Sequence, residues 1–412
     1  MKFAIIAGFY KYGSTGKGVH NNYSRIKNLG HDVKVFYGKK KQDDVNEDIV
    51  YFGNRLFYYA NVILGKYSGL GDVLPIFQTW KLIRKLKKYK PDVVWLMGVH
   101  GYYVNWYKLI KYLKKNGIWA VYGMTDEFAF MGKCCSSFEC EKYKTGCHHC
   151  PHLKNYPQSL LFDNSKFVFN LKKKAYRDWD KVIFRSAPYV VDKARDSYLL
   201  KDKVLYAGDA SVDIKNIYYP RNVSELRKKL GIDENKKVAM LCAPTTDPHK
   251  GAEYFVECAR ACEQDDIVFI QVAFNGDAST LPTNFIPISY VNNPNELAEY
   301  YSLADVYVCT SLSDAQPNTC LEAMGCGTPI VGFNISGVPY VAPEEFGTFV
   351  EPKNVEALAE AVRILPRKTE ESIEKCHLYA KGRFSIEASN GLRAAFINEM
   401  CERVRKDKGE SI

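Results

Sequence analysis

The segment Ser311–Phe333, SLSDAQPNTCLEAMGCGTPIVGF, decides how the second half of this 412-residue chain is built. Two carboxylates, Asp314 and Glu322, stand eight positions apart with Pro317, Asn318 and Thr319 between them. Gly325 and Gly327 follow, then the apolar run Pro329-Ile330-Val331. The order reads as loop, helix start, short helix, glycine turn and buried strand. A helix N-terminus offers unpaired amides and the positive end of the dipole, so a diphosphate suits that position. Glu322, about two turns along the same helix, is placed to accept hydrogen bonds from sugar hydroxyls. The layout is one for holding a nucleotide sugar.

Outward from this segment, strands alternate with helices. Strands are expected at Val238–Ala243, Ile267–Ala273 and Val306–Cys309, with helices at Ala252–Ala261 and Pro294–Ala304 between them. The first half repeats the pattern: strands at Phe3–Gly8, Asp32–Tyr37, Val93–Met97 and Trp119–Tyr122, with a helix ending near Asn28. Such alternation, occurring twice, predicts two Rossmann-like α/β domains with parallel sheets. The junction falls near Gly208–Pro220, giving an N-terminal domain over 1–208 and a C-terminal domain over 209–383. An amphipathic tail helix over 384–405 is expected to pack back on the first domain. Ligands bind at the carboxyl ends of parallel strands, so facing domains would place the site in a deep cleft between them.

Composition narrows the partners. The apolar and charged fractions, 46% and 25%, are those of a soluble globular protein. No apolar run reaches the ~18 residues of a membrane span, and the longest candidates, around Tyr58–Gly65, stop well short. The start, Met1-Lys2-Phe3, reads as a first strand rather than a signal peptide. Residues 1–200 hold 34 Lys and Arg against 16 Asp and Glu, whereas the remainder holds 23 against 31. The basic half is expected to face something anionic. In Trp80–Tyr89 the apolar positions 82, 83 and 86 share a helical face flanked by five cations, as in a helix lying on an anionic bilayer or one packed on a core. A nucleic-acid partner would leave the acidic half and its Asp314–Glu322 motif unused and is not expected.

Two further loops carry chemistry. Gly13-Ser14-Thr15-Gly16-Lys17-Gly18 follows the first strand and permits close backbone approach to a phosphate or sugar, although it lacks both the P-loop and the dinucleotide spacing. Pro244–Gly251 follows a later strand, and Lys250 at the next helix start adds a full positive charge suited to a diphosphate leaving group. Among thirteen cysteines, five crowd into GKCCSSFECEKYKTGCHHCPHL. Cys134, Cys140, Cys147 and Cys150 have a spacing able to close on structural Zn²⁺, with His148, His149 or His152 as substitutes. Reduced or redox-linked thiols and an iron–sulfur cluster are the other readings.

Taken together, these motifs resemble the retaining glycosyltransferases of family 4, which have the GT-B fold. The resemblance spans nearly the whole chain and includes the glycines at 16–18, Lys250-Gly251, Pro317-Asn318-Thr319, Gly325–Pro329 and Gly337-Val338-Pro339. His100-Gly101-Tyr102-Tyr103, Tyr156–Ser159, Asp163–Lys166 and the cysteine-rich insertion at 132–152 resemble a bacterial subgroup assembling capsule, exopolysaccharide and O-antigen.

The resemblance implies that Glu322 holds the ribose, Asp314 touches donor-sugar hydroxyls, and Asn318, Thr319 and Lys250 meet the diphosphate. Gly16, Lys17 and Gly18 would close over the phosphate, with Asp126 and His100 at the reacting centre. It implies transfer of a hexose or N-acetylhexosamine from a UDP-sugar, in preference to a GDP-sugar, to a glycan or polyprenyl-diphosphate-linked acceptor. The setting would be cytoplasmic, peripheral at the inner face of the membrane, with no catalytic cofactor. Three positions depart from the family pattern: Asp314 replaces the usual Glu, Thr245 the usual Arg, and Thr125 the His of a His-Asp pair. A nucleotide-sugar epimerase and a non-catalytic nucleotide-sugar-binding protein are the alternatives.

Overall fold

The computed structural model describes residues 1–41 and 46–410. The chain divides into two compact units: Met1–Gly208 with the tail from Leu392, and Asp209–Gly391.

In chain order, unit 1 contains β1 (Lys2–Ala7), α1 (Gly13–Asn28), β2 (Asp32–Tyr37), β3 (Ile49–Tyr51), α2 (Arg55–Ser68), α3 (Ile76–Tyr89) and β4 (Val93–Met97). It continues with α4 (Trp106–Lys115), β5 (Trp119–Gly123), α5 (Ser165–Tyr176), β6 (Val182–Ser186), α6 (Pro188–Arg195) and β7 (Leu205–Ala207). Seven strands form one sheet in the order β3-β2-β1-β4-β5-β6-β7, and every neighbouring pair is parallel. Ala4, Ile5, Ile6 and Ala7 in β1 are fully buried. A near-continuous apolar strand of this kind is what burial on both faces of a parallel sheet selects.

Unit 2 begins with α7 (Ser224–Lys229), β8 (Lys237–Cys242), α8 (Ala252–Ala261), β9 (Ile267–Val272), β10 (Phe285–Ile288), α9 (Pro294–Leu303) and β11 (Val306–Cys309). It closes with α10 (Asn318–Gly325), β12 (Ile330–Phe333), β13 (Gly347–Val350), α11 (Val355–Ile364) and α12 (Glu370–Phe384). The final helix, α13 (Ile386–Lys408), runs from unit 2 into unit 1. The sheet of unit 2 has the order β10-β9-β8-β11-β12-β13, again wholly parallel. Strand alternation divides its core into two layers. Val238, Met240, Ile270 and Tyr307 pack with residues of α9, α10 and α12, while Ala239, Leu241, Phe269 and Val308 pack with those of α8 and α11.

The tail of α13 joins unit 1 through an apolar face. Phe396, Ile397, Met400 and Val404 are buried in the same cluster as Phe3, Ile5 and Trp95. Lys408 to Asp92 and Lys181 to Asp407 add ion pairs at 2.6 and 2.5 Å.

One local expectation is corrected. Residues 16–18 do not form an open loop, because α1 already begins at Gly13 and the Gly16 amide donates to the Tyr12 carbonyl at 3.1 Å. The basic stretch Trp80–Tyr89 belongs to α3, which starts at Ile76; Leu82 and Leu86 pack in the core while Arg84, Lys85, Lys87 and Lys88 stay exposed. Leu82 and Leu86, about one turn apart, form the core-facing stripe of an amphipathic helix.

Candidate active site

In each sheet the strand order reverses direction once: between β8 and β11 in unit 2, and between β1 and β4 in unit 1. Loops leaving the carboxyl ends of those strands diverge there, which opens a crevice for ligands.

In unit 2 the reversal brings the 243–251 loop against the 310–317 loop. The Thr310 hydroxyl donates to the Lys250 carbonyl at 2.9 Å, and the Leu312 amide to the His249 carbonyl at 2.9 Å. Lys250 Nζ then meets Asp314 Oδ2 at 2.7 Å. Burial pulls the Lys250 ammonium down, but the Asp314 charge and hydrogen bond outweigh it and hold the pKa above the ordinary lysine value. Glycine is required on both sides of the pair. Gly251 has φ +61°, and a Cβ there would lie 2.3 Å from the Thr310 carbonyl oxygen; one on Gly337 would lie 2.0 Å from that of Ala315.

Helix α10 starts immediately beside this pair. The residue ahead of it is Pro317, which supplies no side-chain cap to its first amides. Asn318 is exposed and Thr319 partly so. The Thr319 hydroxyl hydrogen-bonds Tyr307, which leaves its backbone rather than its side chain for a ligand. Glu322 follows Asn318 by four residues, so it lies one turn along the helix and not two. Tyr301 donates to Glu322 Oε2 at 2.8 Å, and Tyr218 is a second hydrogen-bond partner. Burial raises the pKa of both phenols, and the Glu322 charge raises them further, so they act as donors that fix the carboxylate. Neither tyrosine is signalled by the Asp314–Glu322 spacing; only the folded unit brings them there.

Thr245, which replaces an expected cation, is itself anchored. Its amide donates to Asn275 Oδ1 at 2.9 Å, and Gln271 Nε2 donates to its hydroxyl at 3.2 Å.

In unit 1 the reversal gathers a different set. A Cβ on Gly98 would lie 3.7 Å from both Thr15 Cγ2, in the first turn of α1, and Thr125 Oγ1, after β5. His100 Nε2 lies 3.2 Å from Asp126 Oδ2, and the Thr125 hydroxyl also reaches Asp126 Oδ2 at 3.2 Å. The other Asp126 oxygen accepts the Phe128 amide at 2.9 Å, fixing the carboxylate. Lys39, unremarked in the sequence reading, lies between these loops: its amide donates to the Gly8 carbonyl, and its side chain leaves no room for a Cβ on Gly101. Burial lowers its pKa, while Asp72, Cys135 and Asp126 act in the opposite sense. Lys17 is exposed at the start of α1, and Gly16 and Gly18 lie within that helix.

The cysteine segment connects β5 to α5. Cys134, Cys140, Cys147 and Cys150 line one small cavity together with His148. The Gly132 amide donates to Cys147 Sγ at 3.2 Å, and a hydrogen bond from the Cys134 thiol lowers the Cys150 pKa to about 6. Lysines staple the surrounding chain. Lys172 donates to the Phe128 and Met131 carbonyls, and Lys142 to those of His148 and His149. Among the described residues, the set of three metal-capable atoms within 4.8 Å of one another is that of His100, Asp126 and Cys135; the other four sulfurs surround their cavity more loosely.

Residues 222–383 match the family model described as Glycosyl transferases group 1. Alpha-monoglucosyldiacylglycerol synthase from Streptococcus pneumoniae is 27% identical over 169 residues, covering 37% of this chain and 38% of that protein. The Campylobacter jejuni N,N'-diacetylbacillosaminyl-diphospho-undecaprenol alpha-1,3-N-acetylgalactosaminyltransferase is 25% identical over 179 residues, covering 42% and 47%. The chain thus spans under half the length of these curated relatives. A structure of Anabaena Alr3699/HepE in complex with UDP superposes with a TM-score of 0.65 over 97% of this chain and 100% of that one, at 14% identity. By fold this chain is of the GT-B type, with two parallel-sheet α/β domains, and its residues 222–383 match Glycosyl transferases group 1.

Proposed function

We propose that this chain is a retaining glycosyltransferase. It moves a hexose or N-acetylhexosamine from a nucleoside-diphosphate sugar to a lipid-linked glycan acceptor in bacterial surface-polysaccharide synthesis. The observation that carries the reading is the juxtaposition of the Lys250–Asp314 pair, the uncapped start of α10 and the tyrosine-clamped Glu322 at one sheet edge. Lys250 and the α10 amides neutralise the diphosphate as it leaves, Asp314 orients sugar hydroxyls, and Glu322 accepts from the ribose. Most of the catalytic effect then comes from position and leaving-group charge, without a strong nucleophile. Within unit 1 the same reading gives His100 and Asp126 a catalytic role and Gly16, Lys17 and Gly18, in or beside the first turn of α1, a donor-binding one.

Support for a UDP-sugar donor is that the HepE structure is described in complex with UDP. Support for a polyprenyl-diphosphate acceptor is the diphospho-undecaprenol in the name of the Campylobacter relative. The proposed setting is peripheral, at the inner face of the membrane; among the described residues no helix is long and apolar enough to cross one. Cys134, Cys140, Cys147 and Cys150 hold one structural Zn²⁺, which an all-thiolate donor set around a shared cavity suits.

The test is product analysis with UDP-, GDP- and dTDP-sugars and undecaprenyl-diphosphate glycans, in wild type and Glu322→Ala. Acceptor-dependent UDP release with an α-anomeric product is expected, and Glu322→Ala should weaken UDP binding. Unaltered activity in that variant, or donor turnover without acceptor, would overturn the reading.

A further inference from the structure

We infer that unit 1 docks on an anionic lipid bilayer through the outer faces of α2 and α3 and the turn at 160–162. The amphipathicity of α2 is reversed. Its buried positions are Asn61 and Gly65, whereas Leu56, Tyr59, Ile63 and Tyr67 recur at helical spacing on the opposite side. Leu56 is 82% exposed, and the other three are about half exposed. A helix that turns its polar residue inward and its apolar ones outward is stable only if something covers the outer face.

The patch continues beyond α2. Phe57 meets Phe77 of α3 with ring centroids 5.0 Å apart, and Phe77 stacks on the half-exposed Trp80. At the other end of α2, the Leu160 amide donates to the Lys66 carbonyl at 2.7 Å and the Leu161 amide to that of Tyr67 at 3.2 Å. These bonds hold three consecutive exposed apolar residues, Leu160, Leu161 and Phe162, beside the helix; Leu161 is 67% exposed.

Charge identifies the occupant. Residues 49–91 carry eight Lys and Arg and one acid, Asp72. Asp72 is buried and accepts the Gly101 and Tyr102 amides at 2.6 and 3.0 Å. Asp163, next to Phe162, is an exposed acid at the edge of the patch, and its carboxylate accepts the Cys150 and Ser165 amides; the exposed charge along α2 and α3 is all positive. Arg84 lies over the Trp80 ring at 4.5 Å, Lys81 over Phe77 at 4.8 Å, and Arg55 over Tyr59 at 5.8 Å. Aromatic rings rimmed by cations around exposed aliphatic side chains match the headgroup region of an anionic leaflet. A second copy of the chain would bring like charge against like. The surface assignment stands on exposure and charge; its use for reaching a lipid-linked acceptor rests on the transferase reading above.

The experiment is flotation of the full chain with phosphatidylcholine vesicles and with mixed phosphatidylcholine–phosphatidylglycerol vesicles. The wild type should float with the mixed vesicles only. Each basic residue contributes about 1 kcal/mol near such a surface, about fivefold, so Arg84→Gln/Lys85→Gln should cut partitioning about thirtyfold. Leu56→Ser/Ile63→Ser should abolish flotation, and both variants should retain UDP binding measured without vesicles. Equal flotation of the variants, or no flotation together with a wild-type dimer that Leu56→Ser/Ile63→Ser dissolves, would overturn the inference. Vesicle binding in a wild type that fails to bind UDP would sink the donor reading and leave the surface standing.

Discussion

The two units share one topology and use it differently. At the reversal in unit 2, a lysine–carboxylate pair, a helix start and a clamped glutamate converge within one short stretch of sheet edge. The equivalent reversal in unit 1 gathers Lys39, His100, Thr125 and Asp126 from three separate loops, without a compact signature. On the proposed reading, a diphosphate and a ribose are fixed chemical demands, so the groups proposed to meet them fall into a recognisable spacing. An acceptor varies, and an edge proposed to serve one has no such fixed spacing.

The largest expected effect falls on unit 2. Lys250→Ala should lower kcat/KM about 10²–10³-fold, the loss typical of one leaving-group or oxyanion donor, as read by UDP-release kinetics. A fall below threefold would break the asymmetry between the units. Glu322→Ala should weaken UDP binding by about 10–100-fold in calorimetry, since it removes a charged hydrogen-bond acceptor, with Tyr301→Phe giving a smaller loss in the same direction. His100→Ala sharpens the contrast: kcat should fall while UDP affinity stays within about twofold, because the imidazole pairs with Asp126 in the other unit. Equal losses of kcat and UDP affinity would assign His100 to the donor.

A smaller effect concerns the metal. Zinc analysis should find one ion per chain, and Cys147→Ser should lose it and lower Tm without changing UDP affinity. Full retention of zinc would remove Cys147 from the ligand set. The smallest effect is a pH dependence. Lys368 in unit 2 donates to the Ser302 carbonyl at 2.9 Å and to Thr328 Oγ1 at 2.8 Å, and burial lowers its pKa to about 8. The unfolded chain therefore binds more protons than the folded one between about pH 8 and the ordinary lysine value, so this group favours folding increasingly as pH rises through that window. Relative to Lys368→Met, the wild type should gain stability from pH 7.5 to 9.5 in urea titrations. A constant gap would show that the ammonium stays charged throughout.

Much of the architecture was legible because parallel strands buried on both faces are short apolar runs between helix signals. Asp32–Tyr37, Val93–Met97, Ala252–Ala261 and Val306–Cys309 lie where the pattern puts them. α2 escaped that reading, since its apolar residues line the outer face and its period points away from the core. Likewise, the strands nearest the sheet edges, such as β3 and β7, are three residues each and too short to show a period.

For the site, the sequence by itself singled out Lys250, Asp314 and Glu322, the groups proposed to face a donor, because the last two follow one another along one loop and one helix. Only the tertiary structure decided the rest. It set Lys250 on Asp314 across 64 residues, clamped Glu322 between Tyr218 and Tyr301, and moved Lys39 among the loops of unit 1. It also turned Leu82 inward and Leu56 outward. The physical reason is common to all four: a side chain's partners across a sheet edge, and the face a helix buries, depend on which strands become neighbours, and local spacing does not encode that order.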